Sequence, residues 1–162
     1  MSGSVAKRSA DAAASAFRLT YEVGLEHSPT NPWGRAVLTL DSDGSACVEN
    51  RGVLFDPRAW RGRVSPEAIT RLRAALASAG FPRGGQTRLV PDAATATVQV
   101  RDGGREATVE LDWDEAQRLP GYREVVAILD GINHRLSGGA LARGRDAYPD
   151  LVLEAGADAL SG

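Results

Sequence analysis

The sequence predicts an α+β domain. It reads as an antiparallel sheet of five or six strands with two amphipathic helices on one face, in the order β-β-β-(β)-α-β-β-α. Three observations carry this. Residues 17–55 fall into three alternating segments separated by short turns, the pattern of a meander. Residues 64–82 hold a helix with a start and a stop signal. Residues 95–112 form a second hairpin, and another helical stripe follows over 122–136.

In the first strand Phe17, Leu19, Tyr21, Val23 and Leu25 point one way, while Arg18, Thr20, Glu22 and Glu26 include the polar face. A loop with Pro29 and Pro32 runs from His27 to Gly34. Arg35 to Leu40 is the second strand, with Ala36, Leu38 and Leu40 on one side. Asp41-Ser-Asp-Gly-Ser45 is a turn, because Asp-Gly is a strong turn signal. Ala46 to Phe55 reads as a third strand, open to a break at Gly52, and Asp56-Pro57 ends the pattern. Arg61 to Val64 is the optional short strand.

The first helix is the best-marked element. Ser65 can cap it, and Pro66 fits its first position because its missing N–H costs nothing there. Glu67 suits the positive end of the helix dipole. Ile69, Leu72, Leu76 and Ala79 make one apolar stripe. Gly80 supplies a left-handed residue, Phe81 can fold back onto Leu76 in a Schellman ending, and Pro82 forbids resumption. Strands over 95–101 and 105–112 are joined by Asp102-Gly103-Gly104. Asp114 to Leu119 reads as a helical turn capped by Asp112 or Asp114. The second helix spans Gly121 to Leu136, with Tyr122, Val125, Leu129, Ile132 and Leu136 as its stripe.

The chain of 162 residues thus divides into an N-terminal tail, 1–16, one domain, 17–138, and a C-terminal tail, 139–162. Tyr148 to Leu153 is the apolar island of the second tail. It either folds over the domain or stays loose, or else docks into a partner. Net charge is −2, so no overall field favours nucleic acid or an anionic membrane. The apolar runs fall short of a membrane span, and 1–16 lacks a signal-peptide core, so the expectation is a cytoplasmic protein.

Chemistry-bearing residues are few. The histidines are His27, in the Pro-rich loop, and His134, at a helix end where the dipole favours it. A single cysteine, Cys47, allows neither an internal disulfide framework nor a multi-cysteine zinc site. Asp41, Asp43 and Ser45 fail the spacing of a calcium loop, since Gly44 is fourth and Gly52 twelfth. Gly84-Gly85 and Gly103-Gly104 lack the context of a phosphate loop. No cofactor and no metal are expected. The tryptophans are better candidates. Trp33 sits in the Pro-rich loop, Trp60 is surrounded by Arg58, Arg61 and Arg63, and Trp113 lies between Asp112 and Asp114. Aromatic anchors with charged neighbours suit a protein interface. The alternatives are a covered sheet end for the first, a solvated edge strand for the second, and helix capping for the third.

The run Ser65-Pro66-Glu67, Leu72 through Ala79-Gly80-Phe81-Pro82, Pro91-Asp92, the strand Thr95–Arg101, Gly103-Gly104-Arg105, Thr108-Val109 and a final helix resembles the emfourin family. These are small cytoplasmic protein inhibitors of thermolysin-like metallopeptidases. The resemblance spans about residues 64–132 and rests on structural motifs. The meander over 17–55 and the long helix after Leu119-Pro-Gly-Tyr122 depart from it and look more like uncharacterised bacterial immunity or accessory domains. No inhibitory residue carries over.

The sequence therefore points to a non-catalytic module that binds another protein, as a stoichiometric inhibitor or immunity-type protein. Its expected contact residues are Trp33, Trp60, Arg61, Arg63, Asp112, Trp113 and Asp114. The alternative is a structural or assembly component that docks through a sheet edge or the 148–153 segment. An enzyme using Asp112, Asp114 or His27 with a metal is the least supported reading. Oligomeric state is left open.

Overall fold

The computed structural model describes residues 17–24, 34–52, 55–83, 93–141 and 152–158. Trp33, His27, Pro91 and Asp92 lie outside them. The strands are β1 (Arg18–Gly24), β2 (Arg35–Asp41), β3 (Ser45–Gly52), β4 (Phe55–Val64), β5 (Thr95–Asp102), β6 (Arg105–Asp112) and β7 (Val152–Asp158). The helices are α1 (Pro66–Ala79), the single turn α2 (Trp113–Ala116) and α3 (Tyr122–Leu136). One seven-stranded sheet runs in the order β6-β5-β1-β2-β3-β4-β7, and every neighbouring pair is antiparallel. The α+β class and one-sided layering match the sequence; the strand count exceeds it by one.

The meander β1 to β4 steps outward from the middle of the sheet. Then α1 carries the chain back across, so that β5 pairs with β1 on its free side. Alternation decides the faces. Leu19, Tyr21, Val23, Leu38, Leu40, Val98 and Leu111 are buried with the apolar sides of α1 and α3 in one core. Burial of each such large side chain contributes about 1.5–3 kcal/mol. Among the described residues no helix covers the opposite face.

The first helix starts and stops as its sequence dictates. The Ser65 Oγ accepts from the Ala68 N–H at 3.1 Å, and Pro66 is its first residue. Gly80 ends it at φ 74°, with Gly80 N–H donating to Ala77 O and Phe81 N–H to Leu76 O, the paired bonds of a Schellman motif. Tyr122 then ties α3 to this end, its hydroxyl donating to Arg83 O at 2.6 Å. Gly121 allows the approach: at φ 85°, a Cβ there would lie 2.5 Å from Ala79 Cα.

Two elements differ from expectation. Residues 55–64 are one strand, so Phe55 belongs to it and not to the third strand, and Asp56-Pro57 does not break the pattern. The β3–β4 register shifts between Asn50 and Gly52, so Pro57 sits at the irregularity, where a missing donor is tolerated. Likewise, β7 pairs with β4 from Ala59 to Val64, so the C-terminal segment contributes a strand. Composition hid it, because Ala, Gly and Asp are poor strand formers and only the exposed edge of β4 recruits them.

Candidate functional site

The residues singled out in the sequence are scattered. Trp60 points into the helix-side core at 7% exposure, so it is a packing residue and not an exposed edge aromatic. It stands across from Val48, which pairs in turn with Leu38. Its flanking arginines face the other way: Arg61 is level with Cys47 and Arg63 with Ser45, and both are exposed. Four strands separate β4 from β6, so about 24 Å lies between them at ordinary strand spacing. Trp60 and Trp113 therefore belong to different regions.

Around Trp113 the residues are engaged internally. Asp112 is buried and caps α2, its Oδ1 accepting from the Glu115 N–H at 3.0 Å. The Trp113 indole N–H donates to Asp130 Oδ2 at 3.0 Å. Asp114 alone of this group is exposed. No acidic rim surrounds an open tryptophan here, since capping and the Asp130 contact use the polar groups.

Asp130 was not among the sequence candidates. It is 2% exposed, and its other oxygen accepts from the Tyr21 hydroxyl at 2.8 Å. One carboxylate thus joins α3, the central strand β1 and the α2 turn. Its sequence signal is position: Asp130 follows Val126 by four residues and lies on the buried side of α3. Counting only apolar residues misses it.

Two surfaces remain open among the described residues. The first is an apolar groove of about 350 Å³ between the end of α1 and the β5–β6 hairpin. Leu76, Phe81, Pro82, Phe17, Val100 and Ala107 line it. Charged side chains border it. Arg73 stacks over the Phe17 ring at 4.8 Å and pairs with Asp102 at 2.6 Å, whereas Arg105 has no ion-pair partner among the described residues. The second is the uncovered face of the sheet, which carries Arg61 and Arg63.

Elsewhere the polar groups suit structure. The Asp43 carboxylate accepts from the Ser45 N–H at 2.8 Å and from its hydroxyl at 3.0 Å, which holds its pKa below the usual value and makes the 41–45 segment a turn. Among the described residues, no group of three or more His, Cys, Asp or Glu is placed to hold a metal ion. No helix among them is long and apolar enough to cross a membrane. In comparisons with known proteins, no family model and no curated protein matches the chain.

Proposed function

We propose that this chain is a non-catalytic protein-binding module, acting as a stoichiometric inhibitor or immunity-type protein that covers part of a partner enzyme or toxin. The observation that carries this is the apolar groove beside Phe81. An apolar cleft with a charged border is a composition suited to a protein interface. A groove of this size admits one or two apolar side chains of a partner. Arg105 at its rim favours a carboxylate next to them. The segment that resembles the emfourin family, 64–132, contains most of this groove, in keeping with an inhibitor. A cytoplasmic location is part of the same proposal.

The experiment uses tagged full-length protein, with an Ala77→Arg variant as control. Ala77 is exposed on α1 and lines the groove, so arginine there fills it without entering the core. The expected result is one partner protein at 1:1 stoichiometry, lost or weakened at least tenfold in Ala77→Arg, whose own activity falls on titration with the wild-type chain. Equal recovery by both forms, or an unaffected partner activity, overturns the proposal.

A further inference from the structure

The sheet edge beside the groove is unpaired. We propose that β6 docks an extended segment of the partner as an added strand, whose alternate side chains are apolar toward the groove and basic toward the open face. This rests on the groove reading above and names the form and chemistry of the occupant.

The ladder decides which backbone groups are available. β6 ends the sheet, with β5 on its one paired side. Gly103 and Gly104 make a two-residue turn, so Asp102 and Arg105 are the hydrogen-bonded pair that closes it. The same parity holds at the far end, where the Trp113 N–H donates to Ala94 O at 2.9 Å. Hydrogen-bonded and non-bonded pairs alternate along an antiparallel ladder. Arg105, Ala107, Val109 and Leu111 therefore bond to β5, whereas Glu106, Thr108 and Glu110 turn their N–H and C=O groups outward. All three are exposed, and these backbone groups have no partner among the described residues. The edge of β4 differs, because β7 occupies it.

A strand added about 4.8 Å beyond β6 continues the pleat. Its residues level with Arg105 and Ala107 point to the helix side, where those two residues line the groove with Val100, Leu76 and Phe81. Apolar side chains of the added strand thus reach the groove from its β6 side. Arg105 suits a carboxylate at the end of the segment next to the hairpin turn. The residues level with Glu106, Thr108 and Glu110 face the open side instead. Glu110 has no ion-pair partner among the described residues, so an arginine or lysine across from it supplies one. In this mode main-chain bonds give affinity, and alternate side chains give specificity.

The same charges reject a second copy of the chain. Two β6 strands paired antiparallel about Thr108 would set Glu106 of each against Glu110 of the other, and like charges across a ladder repel. An acidic edge selects a basic strand from a different protein.

Selection from a random phage-displayed library tests this, with linear peptides of about ten residues, the upper length of an ordinary strand. The bait is the full-length chain at physiological salt. The selected peptides are expected to alternate apolar residues with arginine or lysine, and to slow amide hydrogen exchange at Glu106, Thr108 and Glu110. Thr108→Pro removes an outward N–H without breaking a bond to β5. It should keep the circular dichroism of the wild type and bind a selected peptide at least tenfold more weakly. Glu110→Arg should weaken binding at least threefold, and a peptide with its facing basic residue changed to glutamate should regain it. Recovery of no peptide overturns the proposal. So does a peptide that binds Thr108→Pro as tightly as wild type, or one that leaves the three amides unprotected. If Thr108→Pro loses its circular dichroism, Glu110→Arg and the amide protection decide. A 1:1 partner weakened by Ala77→Arg but indifferent to Thr108→Pro keeps the groove reading and removes the added strand. Peptide docking at β6 without any enzyme inhibited removes the inhibitor reading alone.

Discussion

Asp130 on α3 holds both β1 and the α2 turn through its two carboxyl oxygens. A buried carboxylate is tolerated only when donors replace its water, and Tyr21 and Trp113 both supply one. Asp130→Ala removes the acceptor of both of these bonds, so it should cost about 1–3 kcal/mol in urea unfolding. Tyr21→Phe should cost about 1–3 kcal/mol, because it takes a donor away from a buried acceptor. At the surface, Glu106 is held below the usual carboxylate range, first by its hydrogen bond from Arg101, then by that from Gln99. Its folded pKa is depressed, so its contribution to stability is present above the unfolded value and is lost as pH falls through the folded one. Arg101→Ala should raise the Glu106 midpoint in a side-chain carbonyl NMR titration; an unmoved midpoint would mean that the ion pair is not formed in solution. Trp60 makes the contrast between sequence and structure testable. As a core residue, Trp60→Ala should lower stability by about 3–5 kcal/mol, whereas a surface anchor would leave unfolding within about 0.5 kcal/mol of wild type.

At the scale of elements, local chemistry and long-range pairing divide the work. The first helix is specified within its own twenty residues: Ser65, Pro66, Gly80 and the Phe81–Leu76 bond appear in the structure where the sequence places them. Ser65→Ala should cost about 1 kcal/mol through loss of the cap, read as a lower urea midpoint at unchanged slope. The hairpin β5–β6 is equally local, closing through Gly103 and Gly104 at φ 60° and 77°, as a two-residue turn of mirror-image type requires. By contrast, β4 contradicts its own sequence at Pro57. It extends to Phe55 because β3 offers a ladder with an irregularity at the position where proline falls. The strand β7 depends still more on its neighbour, since its composition gives it no preference of its own.

For the whole molecule, the consequence of β7 is that the sheet ends where the meander alone would not end it. A chain stopped at Gly139 should keep its α+β circular dichroism but lose a few kcal/mol, with a smaller urea slope, because β4 becomes an edge and α3 loses a neighbour. If 139–162 were only a tail, unfolding would be unchanged. Much of the fold was legible in the sequence: the α+β class, the strands β1, β2, β5 and β6, both long helices, and the side of each that is buried. Those features follow from periodicity and caps, which act within one or two turns of chain. The candidate surfaces were far less legible. The sequence marked Trp60 and Trp113 because aromatics with charged neighbours resemble interface anchors, yet an aromatic one position along a strand faces core or solvent according to register alone. Arg61 and Arg63, beside Trp60, are exposed for that same reason. Thus the sequence by itself determined which segments become helix or strand and which stripe of each is apolar. Only the tertiary structure decided that Phe81, Phe17 and Val100 meet in one groove, that Asp130 lies between Tyr21 and Trp113, and that β7 closes the sheet beyond β4. Each of these joins residues far apart in the chain, and strand order, which no local pattern encodes, brings them together.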